Sequence, residues 1–134
     1  MKLQRAQNTA ARVVMGVRKF DHITPALKTL HWLPVKDRIT FKIASIVFKT
    51  KLYKEPGYLA TLLQDYAPSH QLRSSKQNLI SVASARTVIG SRGFSITAPT
   101  VWNNLPDSVK KSKNTAEFNN KLKTYLFTKT YCAG

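Results

Sequence analysis

The side chains of this sequence that could do chemistry are mostly cationic, and its carboxylates are few and scattered. The six Asp and Glu residues are so far apart that no two fall within one helical turn. A two-metal polymerase or nuclease centre needs clustered carboxylates that hold its ions about 4 Å apart. The sequence therefore argues against a catalytic centre of this kind, and it predicts no metal site and no cofactor.

Other residue types that carry chemistry are equally sparse. His22, His31 and His70 have neither ligand-like spacing nor cysteine partners, so a zinc site is not expected. Cys132 is the single cysteine, which excludes an internal disulfide and fits a reducing compartment. No Gly-x-Ser-x-Gly elbow activates a serine. We therefore expect that the chain by itself is not an enzyme.

Positive charge is the chemistry that remains. Lys and Arg total 22 against six acids, a formal net charge of +16. Residues 1–54 carry 12 basic and two acidic residues, and residues 55–134 carry ten and four, so both parts attract polyanions. Self-repulsion of this size destabilises a compact chain, and a polyanion relieves it. Nucleic acid, an anionic membrane surface and an acidic protein are the open alternatives, of which composition favours nucleic acid.

Amphipathic helices must position these cations. Apolar periodicity predicts a helix over residues 3–15, with Gly16 as its C-terminal cap. The apolar stripe of this helix comprises Leu3, Ala6, Ala10 and Val13 or Val14. Thr24 followed by Pro25 predicts the start of a short second helix, and Pro34 opens a third.

The strongest helical pattern covers residues 35–53. Its predicted core stripe comprises Val35, Ile39, Ile43, Ile46 and Val47, and a neighbouring face carries Arg38, Lys42, Ser45 and Lys49. Like charges one turn apart cost a few tenths of a kcal/mol per pair, roughly, and a bound phosphate backbone would reverse that sign. A merely solvated cationic face beside a core stripe is the alternative interpretation.

The second half of the sequence alternates short elements and loops. Residues 67–78 are polar and predict a linker loop, and residues 79–82 and 87–89 could pair as a short β-hairpin. A short helix is expected to begin at Pro99. The spacing of Asn114 and Glu117 fits a capping box that opens a final helix. We therefore expect a mainly α, small helical domain of about five to six helices, with the hairpin near residues 79–89.

Two tryptophans admit two roles. Trp32 and Trp102 could stack on the bases of a single-stranded nucleic acid. Both lie among apolar neighbours and prolines, which favours a core position for each.

Several sequence stretches resemble one protein family. They are LQRAQNTAAR at 3–12, KFDHITP at 19–25, LHWLPV at 30–35, RITFKI at 38–43, LRSS at 72–75 and APTVWNNLP at 98–106. In this order they are similar to the region that follows the catalytic palm in reverse transcriptases of non-LTR (LINE-type, jockey-like) retrotransposons. The His-Trp-Leu-Pro and Trp-Asn-x-Leu-Pro elements are the most specific markers, and the resemblance spans almost the whole chain.

The resemblance implies the thumb and post-thumb region of an RNA-directed DNA polymerase. In such proteins the thumb grips the template–primer duplex through its backbone. The family's Asp-Asp motif lies upstream of the matching region and is absent here, so polymerase activity is not carried over to this chain. The expected parts are a basic thumb-like region at 1–66, the loop at 67–78 and a post-thumb region at 79–134.

Together these observations predict an intracellular nucleic-acid-binding part of a transposable element, nuclear or both nuclear and cytoplasmic. The expected partners are RNA, DNA and the palm domain of a reverse transcriptase. No membrane is expected, because no run approaches 18 consecutive apolar residues. A remnant without function that lacks its palm partner is the alternative. The residues expected to contact phosphates are Arg5, Arg12, Arg18, Lys19, Arg38, Lys42 and Lys49.

Overall fold

The fold is mainly α, as the periodicity predicts. A computed structural model describes residues 2–70, 73 and 77–132, and these form seven α-helices and one short 3₁₀ helix. Within these ranges, no helix is both long and apolar enough to cross a membrane. The α-helices are α1 (Lys2–Met15), α2 (Thr24–Thr29), α3 (Val35–Tyr53), α4 (Gly57–Leu62), α5 (Phe94–Asn103), α6 (Asp107–Lys110) and α7 (Thr115–Tyr131).

The chain divides into two compact units. The first unit contains Met1–Phe41 and Leu122–Gly134, and the second contains Lys42–Lys121. Helices α3 and α7 each contribute residues to both units. The boundaries predicted at residues 66 and 78 stay predictions, and residues 71, 72 and 74–76 of the predicted loop lie outside the described residues.

In the first unit, α1 is held by amide side chains and not by its apolar stripe. Gln7 Nε2 donates to the carbonyl of Leu33 at 2.8 Å, and the backbone N–H of Val35 donates to Gln4 Oε1 at 2.9 Å. The first N–H groups of a helix have no intrahelical acceptor, so the Gln4 amide supplies one at the start of α3. Only Ala11 of α1 is buried.

The prediction that the apolar stripe of α1 forms its core face is therefore wrong. Leu3, Val13 and Val14 are 63%, 78% and 62% exposed. The reason is that the Leu33 carbonyl and the Val35 N–H need hydrogen-bond partners, so the face of α1 that carries Gln4 and Gln7 turns toward them. The end of α1 follows the prediction, because Gly16 adopts φ +63° and Val17 N–H donates to the Arg12 carbonyl at 3.0 Å.

Aromatic stacking forms the core of the second unit. Phe118 is fully buried and stacks on Phe48 with ring centroids 4.2 Å apart and on Trp102 at 6.0 Å. The Trp102 indole is 1% exposed, and its Nε1–H donates to the Asn78 carbonyl at 2.8 Å. The core position expected for Trp102 is confirmed.

This stacking also decides which face of α3 turns inward. The buried side chains are Ala44, Ser45, Val47, Phe48 and Thr50. Of the predicted stripe only Val47 is buried, and Ile39 is 47% exposed. Ser45, which was expected on the cationic face, is buried because its hydroxyl hydrogen-bonds Asn119 Oδ1 at 2.9 Å. Packing against α7 thus rotates the core face away from the isoleucines.

The hairpin expected near residues 79–89 does not form, and within the described residues Ile80 makes an isolated bridge with Asp65 instead. Asn103 occupies both backbone groups of Ile80, accepting from its N–H and donating to its carbonyl, each at 2.9 Å. Residues 87–89, the expected partner, form a turn that leads into the 3₁₀ helix Gly90–Arg92. A side chain therefore takes the hydrogen bonds that a second strand would have needed.

The starts of two helices can be compared with the positions that the sequence predicts for them. Helix α7 begins as predicted: the Glu117 N–H donates to Asn114 Oδ1 at 2.8 Å. Helix α5 begins at Phe94, five residues before Pro99, which is buried inside the helix. Proline in a helix interior costs about 3 kcal/mol, and burial of Ala98, Pro99 and Trp102 offsets that cost.

Candidate nucleic-acid interface

Three of the predicted phosphate-binding cations share one face of α3. Arg38, Lys42 and Lys49 lie four and seven residues apart, so helical geometry places them within a narrow arc, in which the buried Ser45 lies between Lys42 and Lys49. All three side chains are exposed. The three cationic side chains are therefore solvent-accessible, whereas Ser45, between Lys42 and Lys49 on the same face, is buried and hydrogen-bonded to Asn119.

Three further predicted cations lie on α1 and the segment after it. Arg5, Arg18 and Lys19 are exposed. Lys19 Nζ lies 6.0 Å from the centroid of the Phe20 ring, and that ring is 93% exposed. The Lys19 ammonium and the Phe20 ring thus place a cation beside an exposed aromatic side chain in the segment after α1.

Arg12 differs from the other six residues. Its Nη1 donates to the carbonyl of Arg18 and, at 2.9 Å, to the carbonyl of Asp21. The side chain is only partly exposed. Arg12 thus ties the segment after α1 to the helix, and a phosphate would compete with those two carbonyls for it.

The seven residues are divided between the two units. Arg5, Arg12, Arg18, Lys19 and Arg38 belong to the first unit, and Lys42 and Lys49 belong to the second. The continuous helix α3 contains Arg38, Lys42 and Lys49, so these three form the largest group of predicted cations on a single helix.

Carboxylates engage other cations. Within the described residues the two ion pairs are Lys51–Asp65 and Glu117–Lys121, and neither involves a predicted phosphate-binding residue. Lys110 is 5% exposed, and burial lowers its pKa, although Asp107 partly opposes that effect. Lys51 and Lys110 therefore interact within the second unit, whereas Arg38, Lys42 and Lys49 form no ion pair among the described residues and can meet an external anion.

A cavity of about 500 Å³ in the first unit adds residues that sequence analysis misses. Its lining includes Trp32, Phe41, Arg38 and Lys123. Lys123 is recognisable in the sequence only as one of several cations on α7. Its place beside Trp32 depends on packing between elements nearly a hundred residues apart, for which the sequence carries no local signal.

The described residues contain no group of three or more His, Cys, Asp and Glu side chains that could hold a metal ion. No protein-family model matches the chain, and neither does any curated protein or solved structure.

Proposed function

We propose that the chain is the thumb and post-thumb part of a non-LTR retrotransposon RNA-directed DNA polymerase. In this proposal it binds the phosphate backbones of RNA and DNA without regard to sequence. It has no catalytic centre of its own and works inside the cell, in the nucleus or in both nucleus and cytoplasm, beside the palm domain of a reverse transcriptase.

The observation that carries the proposal is the exposed cationic face of α3. Arg38, Lys42 and Lys49 have no carboxylate partner among the described residues. Holding like charges on one face is unfavourable without a counter-ion, and a phosphate backbone supplies regularly spaced negative charge. The motifs similar to the retrotransposon family support the same assignment.

A salt titration with charge-reversal variants tests this function. Affinity for a short DNA duplex should fall steeply as salt rises, because each neutralised phosphate releases counterions with a slope of about −0.9 per contact. The double variant Arg38→Glu, Lys42→Glu should weaken binding to all sequences alike and reduce the slope by about two.

The matched control is Lys28→Glu, Lys111→Glu, which changes the net charge equally at two exposed cations outside the predicted set. It should weaken binding much less than the α3 variant. An affinity that does not change with salt would count against backbone binding, and equal losses in both variants would show that the α3 face has no special role. A change in sequence preference would indicate base recognition instead.

A remnant without function is the second candidate, and the exposed apolar side chains of α1 favour it. Leu3, Val13 and Val14 resemble a face that has lost a partner. If the purified chain melts cooperatively and its amide NMR signals are well dispersed, it folds without a partner. Aggregation or a molten spectrum would favour the remnant.

A further inference from the structure

The cavity of the first unit combines an aromatic wall with positive charge. Trp32 and Phe41 supply the rings, Arg38 and Lys123 supply the cations, and His31 and two leucines complete the lining. None of the lining residues is acidic. Its volume of about 500 Å³ lies within the range of about 300–1,000 Å³ that is typical of ligand pockets.

The wall that carries Trp32 is fixed by hydrogen bonds from three helices. The Trp32 N–H donates to the Leu27 carbonyl at 2.9 Å, and the Tyr131 hydroxyl donates to the Trp32 carbonyl at 2.6 Å. Gln7 Nε2 donates to the next carbonyl, that of Leu33, at 2.8 Å. A ligand that enters this cavity therefore meets a wall that is already ordered, which reduces the entropic cost of binding.

His31 supports the same arrangement. Its backbone has φ +54°, a conformation that is uncommon for residues other than glycine. The His31 ring packs against Phe127 with centroids 5.3 Å apart, and Phe127 packs against Tyr131 at 4.8 Å. These ring contacts and the hydrogen bonds on either side hold the chain reversal that turns the Trp32 side chain to the cavity.

The two tryptophans have different environments. Trp102 is 1% exposed and its indole N–H is occupied, so its ring offers almost no surface for a base to stack on. Trp32 is only partly buried and lines the cavity. The Arg38 guanidinium lies 6.0 Å from the Trp32 ring centroid, at the outer limit of a cation–π contact. One ring and one cation thus face the same space.

We propose that this cavity binds one unpaired nucleotide of a single-stranded RNA or DNA. The base stacks on Trp32, and its phosphate is held by Arg38 and Lys123. An inorganic anion would use the cations and leave the aromatic wall without a role, whereas a nucleotide has a flat ring and a negative charge. A base inside a duplex is already stacked and cannot enter. The inference rests on the proposed backbone binding and adds a preference for single strands.

The experiment compares three probes of matched charge: a thymidine oligomer, the abasic oligomer of equal length, and a duplex. Tryptophan fluorescence should be quenched by the thymidine oligomer and not by the other two. Trp32→Leu should abolish the quenching and weaken thymidine binding about five- to 150-fold, while abasic binding stays unchanged. Trp102→Phe should keep the quenching, which assigns the signal to Trp32.

Two further variants separate stacking from folding. Trp32→Phe retains a ring and should keep most of the preference for bases, and Lys123→Gln should weaken the thymidine and abasic oligomers alike. Helical circular dichroism of each variant monitors the fold.

Equal affinity for the thymidine and abasic oligomers would overturn the nucleotide site, as would equal quenching by the duplex. In either case, an affinity that falls steeply with salt would still support the proposed backbone binding. Failure of all three probes to bind at low salt would overturn both proposals together.

Discussion

Arg5 and Arg12 lie seven residues apart on α1, and their side chains have different surroundings. Arg5 extends into solvent, whereas Arg12 donates to the carbonyls of Arg18 and Asp21. Spacing alone assigns both to phosphate binding, because a sequence pattern reports the face of a helix and not what a side chain meets there. At the residue scale, we therefore expect Arg12 to contribute to the stability of the fold and Arg5 to contribute to phosphate binding.

Arg12→Ala should lower the free energy of unfolding by about 1 kcal/mol, because two exposed carbonyl contacts are lost. Arg5→Ala should change it by less than about 0.5 kcal/mol and should weaken nucleic acid binding. Urea unfolding and an oligonucleotide titration measure the two effects. If Arg5→Ala proves the more destabilising of the pair, the assignment of Arg12 as the structural tie is wrong.

Glu117 gives the start of α7 a pH dependence. Its pKa is lowered mainly by the hydrogen bond from Lys121, and also by the Lys113 backbone N–H, which donates to its Oε2 at 3.0 Å. A carboxylate whose pKa is depressed on folding stabilises the protein above its unfolded pKa, and that contribution disappears as the pH falls through the lower folded value.

Glu117→Gln should therefore be less stable than the parent chain at neutral pH, with a difference that shrinks as the pH falls below the ordinary value of 4.5. Unfolding midpoints measured from neutral pH into acid would show the two curves converging. Asp107→Asn, at a helix start without this pair of bonds, serves as the comparison. A difference that stays constant with pH would mean that the Glu117 charge is not involved.

At the scale of elements, α1 presents its apolar side chains to solvent and its amides to its neighbours. Gln7→Ala should cost about 1 kcal/mol, since the partly buried Leu33 carbonyl loses its donor. Val13→Gln should change stability by less than about 0.5 kcal/mol, because Val13 is 78% exposed. Chemical denaturation of both variants makes the comparison. The opposite ranking would mean that α1 is held by its apolar stripe.

Element ends could be predicted from sequence better than element faces. Gly16 and the pair Asn114 and Glu117 act within a few residues, so their signals are complete in the local sequence. The inward faces of α1 and α3 depend on partners far along the chain. For α1 these are the 33–35 backbone groups, and for α3 they include the Phe118 ring.

The same distinction applies to the candidate sites. Helical periodicity predicts the exposure of Arg38, Lys42 and Lys49, although the same pattern places the buried Ser45 on that face. The different roles of Trp32 and Trp102 do not, because similar apolar and proline-rich neighbours surround both in the sequence. Only the packing of α5 against Phe118 buries one of them.

At the scale of the whole molecule, the net charge of +16 makes salt act on folding and binding in opposite directions. Raising sodium chloride from about 0.01 M to about 0.15 M shortens the screening length from about 30 Å to about 8 Å. The melting temperature should rise as self-repulsion is screened, and oligonucleotide affinity should fall over the same range. Thermal melts and titrations in one buffer series measure both.

The charge-reversal variant Arg38→Glu, Lys42→Glu has a net charge lower by four, and its melting temperature should depend less on salt. A melting temperature that falls with salt in the parent chain would show that ion pairs, and not repulsion, dominate its electrostatics.

The amide contacts of α1 have a consequence for how the first unit opens. Detaching α1 breaks a few hydrogen bonds and uncovers little apolar surface, because Ala11 is its one buried residue. Its backbone amides should therefore exchange with deuterium through a local opening that urea hardly promotes, whereas those beside Phe118 should exchange only on global unfolding. Since Gln7 also donates to the Leu33 carbonyl, each such opening would remove one of the hydrogen bonds that hold the chain segment carrying Trp32.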